Sequence, residues 1–177
     1  MQAQQQSSSR SVWKLDADHS SIEFTVKKLF FITVSGRLTQ LNGSITLDEE
    51  SINDCSVEAT IGAASIVTGN QKRDARVRST FLEVNSYPTI HFRSTDVGKG
   101  KDRDMLTMKG ELTIRDKKRA VVLDVTGVDR SRSPNGEEVI YYVAETELNR
   151  FDFGVNNWRG LVGQKLKVVI NVQANRI

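Results

Sequence analysis

Four cations, Lys72, Arg73, Arg76 and Arg78, fall within seven residues of the stretch NQKRDARVRSTF, Asn70 to Phe81. Cations this dense grip phosphates, carboxylates or an acidic macromolecule when they share a face, and are solvated surface when they do not. On a helix turning about 100° per residue, Asn70, Asp74, Val77 and Phe81 share one narrow face, flanked by Arg73 and Arg78. Lys72, Arg76 and Ser79 point the other way, toward water. Asp74 and Arg78 also have the four-residue spacing of a supporting ion pair. Arg73 and Arg78 are therefore open to two roles: gripping a phosphate or carbonyl by charge-assisted hydrogen bonds, or pinning the helix in a cluster with Asp74.

Other reactive side chains are sparse. His19 and His91 are the only histidines and lie far apart, with no carboxylate at ligand spacing, so no metal site is expected. His19 beside Ser20 lacks the G-x-S-x-G elbow of a nucleophile and reads as a strand-start hydrogen-bonder. No catalytic residue is assigned. Arg150 and Asp152 in NRFDFG read either as a buried pair closing the end of a sheet or as ligand contacts. Trp158 in NNWRG sits in a loop able to cover an opening, or serves as a satellite-core aromatic.

The elements that must position these residues are mostly strands. Ile22, Phe24 and Val26 alternate with polar neighbours, and Val34, Gly36 and Leu38 continue the pattern. Further rows are Cys55, Val57, Ala59 and Ile61; Ile90 and Phe92; Leu106 to Ile114; Val121, Leu123 and Val125; Val139, Tyr141 and Val143; and Leu166 to Val172. Asn42-Gly43 reads as a hairpin turn, Asp116-Lys117-Lys118 as a tight turn, and SPNGEE as a loop. About eight antiparallel strands and one helix near 69–80 are best accommodated by a sheet closed into an up-and-down barrel, with a sandwich as the alternative. The inward rows mix large residues with small ones, so the interior is either plain core or a cavity for one small ligand.

The 177 residues allow one domain with a sizeable core, placed at 12–177 after a polar, low-complexity tail at 1–11. No apolar run reaches the roughly 18 residues needed to span a bilayer, so stable membrane insertion is not expected. With 25 Lys+Arg against 22 Asp+Glu the net charge is only +3, a weak basis for nucleic-acid binding. The single cysteine excludes an intrachain disulfide.

Five segments occur in order: D16-A-D-H19-S20-x-I22-x-F24-x-V26-x-K28-L29, R73-D74-A-R76-V77-R78-S79, Y87-P88-T-I90-x-F92-x-S94, G110-E-L112-T113-I114 and N149-R150-F-D152-F153-G154. Together they resemble the YceI-like family of bacterial lipid-binding barrels, from about Trp13 to Ile177. The resemblance implies an all-β, extended lipocalin-like eight-stranded barrel with one inserted helix. It also implies a tunnel for a polyisoprenoid, isoprenoid quinone or fatty-acid derivative, periplasmic or secreted localisation, and no enzymatic activity or cofactor other than a bound lipid. Dimers are known in that family, so a homodimer is among the expected states.

Combined with the strand rows, the tunnel residues are Phe24, Val26, Leu38, Val57, Ile90, Phe92, Met108 and Leu166. The mouth, facing the polar head, is assigned to Arg73, Asp74, Val77, Arg78, Phe81 and Trp158. This chain departs from the family pattern at Lys28 and Arg76, where His is frequent, and at Asp116 and Ala120, where Gly and Pro are usual. The competing function is salt-sensitive binding of an acidic macromolecule through Lys27, Lys28, Lys72, Arg73, Arg76 and Arg78. The absence of aromatics interleaved with those cations argues against single-stranded nucleic acid.

Overall fold

Residues 9–177 are described by a computed structural model, the side chain of Val128 excepted. Ten strand segments follow one another: β1 (Arg10–Leu15), β2 (Ser21–Lys28), β3 (Ile32–Leu38), β4 (Leu41–Asp48), β5 (Ser56–Gly62), β6 (Thr89–Lys99), β7 (Leu106–Ile114), β8 (Lys117–Arg132), β9 (Glu138–Asn149) and β10 (Val162–Arg176). They form one antiparallel sheet in the order β1-β4-β5-β6-β7-β8-β9-β10-β2-β3, with β1 also paired to β10.

Ten segments make eight staves. β10 pairs along its first part with β2, from Val162↔Lys28 to Asn171↔Ser21, and at its end with β1, through Ala174↔Leu15 to Arg176↔Trp13. β4 lies against β1 and β3 against β2, so each of the first two staves is a long strand broken once in the middle. The first break is a 3-10 turn at Ala17–His19, capped by Asp16, whose carboxylate accepts from Asp18 N–H and lies 3.0 Å from His19 Nδ1. The result is the closed, lipocalin-like eight-stranded barrel expected from the alternation, and closure pairs the edges that an open sheet would expose.

The helix sits in the connection between β5 and β6. Asn70 caps it by accepting from the Arg73 N–H at 3.0 Å. α1 (Gln71–Arg76) then loosens into a π turn over Val77–Phe81, closed by Leu82 N–H to the Val77 carbonyl at 2.9 Å. Among the described residues β3 has no strand partner on its outer side. A two-way backbone bridge between Arg37 and Val67 ties it to the inserted segment instead.

Three sequence expectations change. The tight turn is Arg115-Asp116, since Lys117 and Lys118 already pair with Ile114 and Thr113 in β8. Asn42-Gly43 is not a turn but lies inside β4, opposite Thr60 and Ala59. Its glycine is explained by close approach, since a Cβ there would stand 2.2 Å from the Glu58 carbonyl oxygen. Of the tail expected at 1–11, residues 1–8 lie outside the described residues, while Arg10 and Ser11 already pair with Asp48 and Leu47.

Candidate functional site

The barrel encloses a cavity of about 560 Å³. All eight residues assigned to the tunnel, Phe24, Val26, Leu38, Val57, Ile90, Phe92, Met108 and Leu166, border it. They do so because each stave turns alternate residues inward, odd-numbered in β5 and β8 and even-numbered in β2, β6, β9 and β10. Phe24 is fixed by its cross-strand partner Gly36, where a Cβ would lie 2.4 Å from the Phe24 ring. The exposed members of the lining, Asn70, Lys72, Arg76 and Trp158, all belong to the helix and the loop facing it, which locates the mouth. At the other end the lining stops at Tyr142 on β9 and Val172 on β10, with Leu15 of β1 beside them. The next inward residues, Ile140 and Ala174, are buried with Trp13 in one cluster that fills the barrel.

One row differs from its sequence reading. β9 turns Tyr142, Ala144, Thr146 and Leu148 inward and leaves Tyr141 exposed, opposite to the expected row of Val139, Tyr141 and Val143. The outward charges Glu145 and Glu147 were the available signal for this parity. Tyr142 therefore borders the inner end of the cavity, and among the described residues its hydroxyl has no hydrogen-bond partner. Burial pushes its phenol pKa up, so it remains a neutral donor at physiological pH.

The mouth is cationic, but only in part through the residues the helical wheel selected. Of the six assigned there, Arg73, Val77, Phe81 and Trp158 border the cavity, and Asp74 and Arg78 do not. Asp74, 7 % exposed, accepts from the Thr68 N–H at 2.9 Å and from the Thr68 hydroxyl. Arg78 donates to the carbonyls of Ala64 at 2.9 Å and Ile66 at 2.6 Å. The expected Asp74–Arg78 pair is thus replaced by two separate anchors that fasten the helix to the preceding segment. Arg73 shares this work, donating to the Thr68 hydroxyl and carbonyl, both at 2.7 Å.

Lys72 and Arg76, expected to face away, stand on the rim together with Lys28 of β2. Arg76 lies 4.6 Å from the Trp158 ring centroid, and Trp158 meets Phe81 edge-on at 6.0 Å and 78°. Among the described residues no Asp or Glu borders the cavity. Every charge that a ligand meets there is positive.

Arg150 borders the same end from within. Its guanidinium, 6 % exposed, donates to the carbonyls of Gly163, Val155, Asn157 and Val162 at 2.7–2.9 Å. Asp152 is exposed and takes no part, so the expected Arg150–Asp152 pair is replaced by a cage of backbone oxygens. Burial, then the nearby Arg159 cation, pulls the Arg150 pKa below its ordinary value.

The anchoring role of Arg78 is measurable. Arg78→Met leaves the Ala64 and Ile66 carbonyls without this donor and should cost about 1–3 kcal/mol in urea unfolding, with little selective effect on head-group binding. Unchanged stability with lost binding of anionic lipids would return Arg78 to the mouth.

Comparison with known proteins agrees with this geometry. The YceI-like domain matches residues 13–174. A UPF0312 protein of Pectobacterium carotovorum is 30% identical over 163 residues, covering 91% of this chain and 83% of its own. Among solved structures, Burkholderia cenocepacia BcnA superposes with a TM-score of 0.80 at 18% identity, over 90% of this chain and 98% of its own. A polyisoprenoid binding domain from Saccharophagus degradans, implicated in plant cell wall breakdown, gives 0.71 at 16%, over 93% and 98%. With a barrel of this closure and a family match over nearly its whole length, the chain belongs to the YceI-like domain family.

Proposed function

We propose that this protein binds a long apolar amphiphile in its barrel and carries or sequesters it without chemical change. A polyisoprenoid, an isoprenoid quinone or a fatty-acid derivative has the required form. The observation that carries the reading is the 560 Å³ apolar cavity with a rim of cations and, among the described residues, no bordering carboxylate. The chain of the ligand supplies affinity without direction, about 0.8 kcal/mol per buried CH₂, so the polar head must do the selecting. Lys28, Lys72 and Arg76 face that head, and they favour a phosphate, a carboxylate or a strongly polarised carbonyl. A periplasmic or secreted carrier in a bacterium is the setting this implies, acting without nucleic acid.

The competing reading, an acidic macromolecule bound along the helix, is disfavoured by the side chains themselves. Lys72 and Arg76 converge on the opening, and Arg73 and Arg78 are spent on neighbouring carbonyls.

Organic extraction of freshly purified protein followed by mass spectrometry should yield a co-purified lipid. An empty extract, together with no uptake of ubiquinone or palmitate, would sink the carrier reading. Lys72→Ala with Arg76→Ala should weaken palmitate about tenfold or more while leaving hexadecane nearly unaffected, because only the charge-assisted contacts are removed. Equal weakening of both would place the two cations outside the head-group site.

A further inference from the structure

The connection between β2 and β3 is Leu29-Phe30-Phe31, and it projects its apolar side chains into solvent. Phe30 is 82 % exposed and Phe31 87 %, with Leu29 and Ile32 about half exposed beside them. Leu29 and Phe30 adopt positive φ, 50° and 66°, where a glycine would sit with less strain. Bulky apolar residues at a strained, exposed tip cost stability, which points to a use for the tip outside the folded chain.

The tip is continuous with the mouth. Leu29 N–H donates to the Leu161 carbonyl at 2.8 Å, and Leu161, itself exposed, follows Trp158 in the loop that faces the helix. Lys27 and Lys28 lead directly into this apolar ridge, Arg159 lies in the loop that carries Leu161, and Lys72 and Arg76 border the mouth together with Lys28. None of the five has an ion-pair partner among the described residues. Arg76 and Arg159 instead stack on Trp158 and Phe151.

The geometry points to a peripheral membrane-docking surface: the Leu29–Ile32 tip enters the interface of an anionic bilayer, and the surrounding cations meet its head groups. A convex apolar ridge needs a deformable partner, and the acyl boundary of a bilayer is one. The unpaired cations decide against a second copy of this chain, because a two-fold contact through the tip would bring the same positive rims together. An anionic leaflet neutralises them instead. The protein lies on the membrane without spanning it, and its opening meets the lipid phase directly. Docking needs no cargo, so it is read separately from ligand retention.

The test is co-sedimentation of the full chain with vesicles of phosphatidylcholine and phosphatidylglycerol, against phosphatidylcholine alone. Pelleting is expected with the anionic vesicles at low salt and should fall as salt rises. Phe30→Ser with Phe31→Ser, both solvent-facing and absent from the cavity lining, should lower the partition coefficient about tenfold or more with an unchanged near-ultraviolet circular dichroism spectrum. Absence of pelleting with anionic vesicles at low salt overturns the proposal. So does undiminished pelleting of the double variant, and so does a dimer that the double variant dissociates without any vesicle binding.

Discussion

Arg150→Met is expected to destabilise the barrel by about 3–5 kcal/mol, the largest single-residue stability effect anticipated here. Four carbonyl oxygens, from Val155, Asn157, Val162 and Gly163, lose their donor together. All four belong to the segment that carries Trp158 to the mouth, so the same substitution should loosen the rim and weaken retention of any lipid. Arg150→Lys should recover only part of the loss. An ammonium has three donors on one atom and cannot reproduce the guanidinium fork. Urea unfolding of the two variants separates the effects. A loss under about 1 kcal/mol for Arg150→Met would mean that water replaces the guanidinium at little cost, and that the cage is not what orders the loop.

How much of this was legible from the sequence depends on where each partner lies. The tunnel wall could be read because strand alternation is local: Phe24, Val26, Phe92 and Met108 show their inward parity within a few residues. The parity of β9 is hidden in the sequence because Val139 and Ile140 are both buried, which masks the alternation where the strand begins. The helix is legible in the sequence, yet a helical wheel missorts Lys72, Arg76 and Arg78 for a physical reason. A helical wheel recognises one buried side, whereas a helix at a mouth has two sides turned from bulk water. One packs on the 64–68 segment, where Asp74 and Arg78 are used, and the other overlooks the cavity, where Lys72 and Arg76 stand. The π turn after Arg76 shifts the wheel further. The Arg150 cage could not be read at all, because its acceptors are backbone oxygens, which every residue type provides.

Ala144→Phe is expected to weaken binding of a long-chain fatty acid about fiftyfold while leaving octanoate nearly unchanged. Ala144 is 4 % exposed and lies on the inward row of β9 between Tyr142 and Thr146. The row from Leu148 to Tyr142 spans roughly 20 Å at the usual rise per strand residue, so a ring at Ala144 divides the inner part of the tunnel from the mouth. Denying a ligand about three CH₂ groups of burial removes about 2.4 kcal/mol, which corresponds to about fiftyfold. A short ligand seated at the cations does not reach the obstruction. Ala144 packs with Phe92, Met108 and Leu123 at the cavity wall, so the added ring must displace these neighbours in part and should cost about 1–3 kcal/mol in stability. Tyr142→Phe supplies the complementary measurement. It should leave palmitate unaffected and weaken a chain carrying a terminal oxygen, since the Tyr142 hydroxyl, unpaired among the described residues, is the polar group nearest the inner end of the cavity. Titration of each variant with a series of chain lengths decides the matter. If the dependence of affinity on length does not break in Ala144→Phe, the chain does not extend inward past β9, and the ligand must be held at the rim alone.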